Sequence, residues 1–169
     1  QYANGKSVLN LFAYTGSFSV YAADGGARRT LTVDMSQTYQ AWSARNMALN
    51  GHTDPKRHHF VQSDVLVFLQ QMLDAKVRFD LIILDPPSFS NSKRMQSTFD
   101  VQRDHPELVR NTLRLLTPQG QLLFSNNRQG FKLDPKLSDI ASLNEISDQT
   151  IPFDFKRHRP HRCWLISRA

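Results

Sequence analysis

The sequence predicts an α/β domain: a mostly parallel seven-stranded sheet, helices on both faces, and an antiparallel hairpin at its C-terminal end. Three observations lead there. Five short apolar runs alternate with helical segments up to Ser125. The fourth run, Phe79–Leu84 (FDLIIL), is apolar almost throughout, as a strand covered on both faces must be. The last two runs have no helix between them, so they read as neighbours in a hairpin.

The elements follow in order. Ser7–Phe12 (SVLNLF) is the first strand, and it breaks into Ala13-Tyr14-Thr15-Gly16-Ser17. A helix over Phe18–Ala23 stops at Gly25-Gly26. Arg29–Val33 is the second strand and ends at Asp34. Ser36 caps a helix over Gln37–Asn50, which Gly51 terminates. In that helix Tyr39, Trp42, Asn46 and Leu49 share a face, and Asn46 reads as a structural amide bonded to a nearby loop. Phe60–Gln62 is the third strand, followed by Asp64. Val65, Phe68, Leu69, Met72 and Leu73 then recur at helical spacing within Val65–Ala75.

Phe79–Leu84 runs into Asp85-Pro86-Pro87. Ser88–Asp100 is polar and without period, and reads as a loop. Pro106 opens the next helix, with Leu108, Val109, Thr112, Leu115 and Leu116 on its buried face. Pro118-Gln119-Gly120 is a turn, and Gln121–Ser125 the fifth strand. Asp134-Pro135 starts a short helix through Leu143. Glu145–Ile151 and Cys163–Ser167 are the closing strands, joined by a long basic connection.

The 169 residues form one domain, residues 1–169, and only six of them precede the first strand. That start suggests a domain cut from a longer chain. One cysteine excludes a disulfide framework and a cysteine-cluster zinc site, and fits a reducing, cytoplasmic setting. No metal site is predicted. No apolar run approaches the ~18 residues of a membrane span. Twenty-one Lys and Arg against 15 Asp and Glu leave a net charge of +6, which favours an anionic partner.

In open α/β sheets, ligands bind beyond the carboxyl ends of the strands. Here the five ends carry Phe12–Gly16, Asp34, Asp64, Asp85-Pro86-Pro87 and Asn126-Asn127-Arg128. Singly, each is an ordinary cap or turn; five in register point to a site. Asp34 follows Gly16 by eighteen positions, near the interval at which a second-strand acid meets a ribose. A carboxylate accepts two hydrogen bonds and so matches a vicinal diol. NAD is the first ligand to test, but its pyrophosphate needs several glycines in the first turn, and this turn has one. No Gly-Lys-Ser/Thr triplet follows the strand, so there is no P-loop. A ligand with ribose and adenine but no phosphate suits this turn, and S-adenosylmethionine is such a ligand.

VLNLFAYTGSFS, TVDMS, QSDV and DLIILDPPSFS resemble the class I methyltransferases that act on ribosomal RNA. FSNNRQGFKLD and HRCWLI resemble one branch of them: the C-terminal half of the bacterial bifunctional 23S rRNA methyltransferases, which methylates a guanine at N7. The resemblance runs from about Lys6 to Ser167. It implies a Rossmann-like class I methyltransferase sandwich. It also implies that Asn10 bonds the cofactor's ammonium through its carbonyl oxygen, and that Phe12, Ala13 and Gly16 form the wall and floor under the methionine moiety. Tyr14 stands where the family often has glycine. Asp34 would hold the ribose diol and Met35 pack on the adenine. Asp64 would accept from the adenine amino group, with Val65 on the ring. Asp85, Pro86 and Pro87 would line the gap between sulfonium and target base, and Phe89 would stack on that base.

A cytosine carbon-5 methyltransferase needs an attacking thiolate at a strand end. None stands there. Cys163, beside Trp164 in the last strand, reads as a small core residue away from the ligand rim. Guanine N7 has a free lone pair and loses no proton on methylation, so it needs no general base. Asp85 would orient the guanine by accepting from its ring N–H or amino group. No His or Cys stands out as base or nucleophile. Lys93, Arg94, Arg128, Lys132 and Arg157, with Phe89, Phe99 and Phe131, resemble a phosphate-and-stacking surface for RNA. The expected partners are therefore 23S rRNA, naked or partly assembled, and an upstream RNA-binding and second methyltransferase portion. A methyltransferase for small molecules or proteins, and a non-catalytic RNA-binding module of the same fold, stay open as alternatives.

Overall fold

The computed structural model describes residues 2–90, 98–155 and 160–169. Its main sheet is built from β1 (Ser7–Leu11), β2 (Arg29–Asp34), β3 (His58–Gln62) and β4 (Phe79–Leu84). Three more strands complete it, β7 (Leu116–Asn126), β8 (Ala141–Glu145) and β9 (Arg162–Arg168). The strand order is β3-β2-β1-β4-β7-β9-β8. β1 to β4 and β7 pair in parallel, while β9 is antiparallel to both its neighbours. The expected hairpin is thus β8–β9, at the sheet's edge. The order turns back beside β1, so the switch point lies between β1 and β4.

Side-chain alternation sorts the core onto two faces. On one, Leu9, Leu11, Val33, Ile82 and Leu84 pack with Phe68 and Leu69 of α3 (Val65–Asp74) and Leu108 of α4 (Val101–Leu113). On the other, Val8, Leu81 and Ile83 pack with Ala22 of α1 (Ser17–Asp24), which in turn meets Met47 of α2 (Gln37–Leu49). Phe124 and Trp164 stack at 5.7 Å across β7 and β9. Truncating an aromatic in such a place costs about 3–5 kcal/mol.

Five expectations need correction. Ser88–Asp100 is not loop throughout: β5 (Phe89–Ser90) pairs antiparallel with β6 (Phe99–Asp100). α4 starts at Val101 rather than Pro106, because Asp100 caps it, its Oδ1 accepting from the amides of Gln102 at 2.8 Å and Arg103 at 3.2 Å. Pro106 then sits inside the helix, where its missing N–H leaves the Gln102 carbonyl without its helical donor. The His105 Nδ1 lies 3.1 Å from that carbonyl and 2.9 Å from the Val101 carbonyl, while its Nε2 accepts from the Asp134 amide at 2.9 Å. His105 is thereby a neutral ring with its proton on Nδ1, and burial holds its pKa below the ordinary value.

The last three corrections concern β7 and the closing segment. β7 begins five residues early and absorbs Pro118-Gln119-Gly120 as an irregularity, its pairing with β4 jumping from Phe79↔Leu116 to Leu81↔Gln121. Asp134-Pro135 opens only a 3-10 turn, Pro135–Asp139, before β8. The strand expected over Glu145–Ile151 instead ends at Glu145, running from Ala141, and Ser147–Thr150 is a single helical turn, α5. There the Thr150 hydroxyl donates to the Ser147 carbonyl at 3.1 Å, a local bond that competes with strand pairing.

Candidate active site

The carboxyl ends of β1 to β4 open into a cavity of 660 Å³. The turn after β1 is shaped by three left-handed residues, Phe12 (φ 55), Tyr14 (φ 51) and Gly16 (φ 76). Tyr14 thus holds a left-handed backbone of the kind that favours glycine. α2 holds the turn from outside: Ser43 Oγ donates to the Tyr14 carbonyl at 3.1 Å and Asn46 Nδ2 to the Thr15 carbonyl at 2.8 Å. Asn46 is the satisfied structural amide expected of it. The close approach of α2 is why position 16 is glycine, since a Cβ there would lie 2.7 Å from Ser43 Cβ.

Asp34, at the end of β2, accepts from the Tyr14 amide at 2.8 Å through Oδ2 and from the Ser36 amide at 2.9 Å through Oδ1. One carboxylate thus ties two strand-end turns together while lining the cavity. Asp64 caps α3, its Oδ1 accepting from the Leu66 amide at 2.8 Å, and lines the same cavity. Cap and wall are the same residue here. Phe12, Met35, Val65 and Pro87 supply apolar walls, and Asp85 closes one end.

Of the residues predicted for the cofactor, Phe12, Asp34, Met35, Asp64, Val65 and Asp85 come together. Ala13 and Gly16 are buried in the turn and shape it from behind. Asn10 is a correction. Its side chain points to the α1 face of the sheet, is 1% exposed, and donates from Nδ2 to Ser19 Oγ at 3.0 Å. A strand's alternation puts Asn10 on the face opposite Leu9 and Leu11, away from the cavity. The cavity also recruits residues the sequence analysis did not assign to it: Tyr14, Ser36, Tyr39, Leu66, Ser90 and Phe99. Ser36 and Tyr39 belong to the first turn of α2, directly after Asp34, and that adjacency was the available signal.

Beyond Asp85 lies a second cavity of 340 Å³, with Pro86, Pro87, Ser125, Asn127, Thr150, His161 and Cys163 in its lining. Asp85 and Pro87 line both cavities and form the wall between them. Burial raises the Asp85 carboxyl above its ordinary pKa, opposed by the Ser125 hydroxyl, which donates to it at 2.7 Å, and by nearby His161. β9 brings Cys163 to this wall, which corrects its expected place away from the ligand rim. Burial, and then the Asp85 charge, push its thiol up to about 11. At neutral pH it stays a thiol, a poor nucleophile. A histidine also stands in this chamber, unforeseen. His161 Nε2 lies 2.9 Å from Thr150 Oγ1, whose own proton goes to the Ser147 carbonyl.

The predicted RNA surface changes most. Lys93, Arg94 and Arg157 lie outside the described residues. Phe99 and Phe131 are each 2% exposed and belong to the core; Phe89, at 54%, is exposed but lines neither cavity. Arg128 is paired with Asp100 at 2.6 Å, and with the cap bonds it holds that carboxyl below the usual range. Arg128, Lys132, His161 and Arg162 line a groove of 760 Å³ beside the second cavity. Among the described residues, no group of three His, Cys, Asp or Glu is placed to hold a metal, and no helix is long and apolar enough to cross a membrane.

Carboxylates at successive strand ends, with apolar walls between them, mark a nucleoside-binding α/β domain. The comparisons with known proteins make this specific. The family model of the S-adenosylmethionine-dependent methyltransferases matches residues 1–154. The ribosomal RNA large subunit methyltransferase K/L of Vibrio cholerae is 53% identical over 99% of this chain and 23% of its own length. The ribosomal RNA large subunit methyltransferase K of Neisseria meningitidis serogroup B is 51% identical over 97% of this chain and 46% of its own. This chain thus spans less than half the length of either relative. A solved structure described as a methyltransferase complexed with SAH superposes with a TM-score of 0.79, at 30% identity, over 99% of this chain and 46% of that one. The chain belongs to the S-adenosylmethionine-dependent methyltransferase family.

Proposed function

We propose that this domain transfers the methyl group of S-adenosylmethionine to N7 of a guanine in 23S rRNA. The observation that carries the reading is the Asp85-Pro86-Pro87 wall between two cavities. The larger fits the cofactor: Asp34 for the diol, Asp64 for the adenine amino group, Met35 and Val65 for the ring, Phe12 and the braced turn for the methionine end. Bound there, S-adenosylmethionine supplies an electrophilic methyl on a sulfonium. The smaller receives the base, flipped out of the RNA. At 340 Å³ it sits at the low end of small-ligand pockets, roughly 300–1,000 Å³.

The chain's own residues then position rather than activate. Asp85, as carboxylate, accepts from a guanine N–H and sets the ring against the shared wall. Pro86 and Pro87 keep that wall stiff and dry. N7 gives up no proton, so nothing has to take one, which agrees with a thiol held protonated at Cys163 and a His161 committed to Thr150. Phosphates follow the groove of Arg128, Lys132 and Arg162. The relatives' names support large-subunit rRNA as the substrate, and their greater length supports a larger whole protein, to which we assign an upstream RNA-binding and second methyltransferase portion. This reading places the protein in the cytoplasm, where its RNA is.

Incubation with the cofactor and unmodified large-subunit rRNA, followed by nuclease digestion and mass mapping, should return 7-methylguanine at a defined position. Methyl on an exocyclic amine or on cytosine carbon-5, or no methyl in RNA, would overturn the reading. Asp85→Asn should lower kcat by about a hundredfold through misplacement while cofactor affinity stays within a few fold. The carboxylate is the accepting form, so rate falls as pH drops through the Asp85 pKa. Because burial raises that pKa, the acid limb should lie above the ~3.9 of a free aspartate. Ser125→Ala removes the bond that opposes the shift, and should move the limb to higher pH.

A further inference from the structure

We infer that Asn127 selects the target base by donating a hydrogen bond from its amide nitrogen to the base's exocyclic carbonyl oxygen. The inference rests on the reading that the second cavity receives a guanine. Asn127 lines that cavity with Asp85, yet the two lie on different strand ends, forty-two positions apart. Ser88 connects them. It follows Pro87 directly, and its Oγ donates to Asn127 Oδ1 at 2.9 Å. Ser88 is itself anchored, since its carbonyl accepts from the Val101 amide at the start of α4 at 3.2 Å. Ser88 takes one lone pair of the Asn127 oxygen and so fixes which way the amide faces, leaving both Nδ2 hydrogens to offer a ligand. With one Asp85 oxygen engaged by Ser125, the carboxylate still offers the other as acceptor.

The cavity wall therefore presents a donor and an acceptor fixed by two serines. Guanine carries the complementary pair on adjacent ring positions, O6 accepting and N1–H donating. Adenine and cytosine present the reverse, a ring-nitrogen acceptor beside an amino donor. Either would set its lone pair against Asp85 and its amino group against Asn127. Uracil shares guanine's pattern but has no N7 to methylate. The selection thus comes from repulsion as much as attraction. Ser88 acts through Asn127, as a positioning residue.

The test is a cycle between protein and base, in the natural protein and with the target nucleotide mapped first. An rRNA fragment is made with guanine or 6-thioguanine at that position, the sulfur being a weaker acceptor while N1–H, the 2-amino group and N7 remain. For the natural residue, the sulfur should lower kcat/KM and weaken RNA binding roughly tenfold. In Asn127→Ala the loss on guanine should be similar, and the sulfur should add almost nothing, which is the signature of a direct contact. Ser88→Ala should behave as a weaker Asn127→Ala, and Ser88→Thr should restore activity. If guanine is methylated but the sulfur costs the same with and without Asn127, this assignment fails and the proposed function stands. If no guanine is methylated, both fail.

Discussion

Asp34→Ala is expected to remove S-adenosylmethionine binding almost completely. The side chain has two duties. It accepts from the Tyr14 and Ser36 amides, fixing the turns on either side of the cavity, and it lines the cavity in which the proposed function puts the ribose diol. Each hydrogen bond to a charged group contributes about 1.5–3 kcal/mol. Loss of the two to the diol alone lowers affinity by roughly a hundred- to ten-thousand-fold. The two amides left behind add to this, because the turn they belong to loses its anchor. Titration calorimetry with the cofactor, alongside a thermal melt, separates the binding loss from a folding defect. Affinity within a few fold of the parent would mean the diol is held elsewhere, and would remove the reason for calling this cavity the nucleoside site.

Gly16→Ala is expected to be nearly as damaging for a different reason. The position has φ 76, and a Cβ would lie 2.7 Å from both Cβ and Oγ of Ser43. The left-handed backbone costs a non-glycine residue about 1–2 kcal/mol, and the clash about 1–3 kcal/mol more. Either α2 moves out or the turn moves in, and the turn carries Phe12 and Tyr14 into the cavity wall. Urea unfolding should show a loss of about 2–5 kcal/mol, and cofactor affinity should fall with it. Pairing Gly16→Ala with Ser43→Gly should recover the clash but not the backbone part. A single variant as stable as the parent, with unchanged affinity, would show that the helix does not brace the turn.

Much of the site was legible because strand ends are local features. A run such as Phe79–Leu84 stops where Asp85-Pro86-Pro87 can no longer pair, and the fold delivers each such stop to one edge of the sheet. Asp34, Asp64 and Asp85 meet in one cavity for that reason. Asn10 failed the same reasoning because it lies inside a strand, where the side-chain face is set by alternation rather than by position along the chain. The aromatic guesses failed through burial. Phe99 and Phe131 sit in polar sequence, but the β5–β6 pairing turns Phe99 inward, and Phe131 fills the space between His105, Phe124 and Trp164.

What the sequence determined by itself is the succession of elements from β1 to β4, the caps at Ser36, Asp64 and Asp134, and the set of residues presented at the strand ends. These follow from period, caps and glycine placement, which act over a few residues. Only the tertiary structure decided that Asp100 rather than Pro106 opens α4, since that required Arg128 and His105 to come from or reach toward distant segments. Only it decided that Cys163, His161 and Thr150 share a chamber with Asp85, because β9 enters the sheet antiparallel beside β7. Local propensity has no term for such contacts. They are settled by which buried side chains can pack and which polar atoms can find partners once the strands have taken their order.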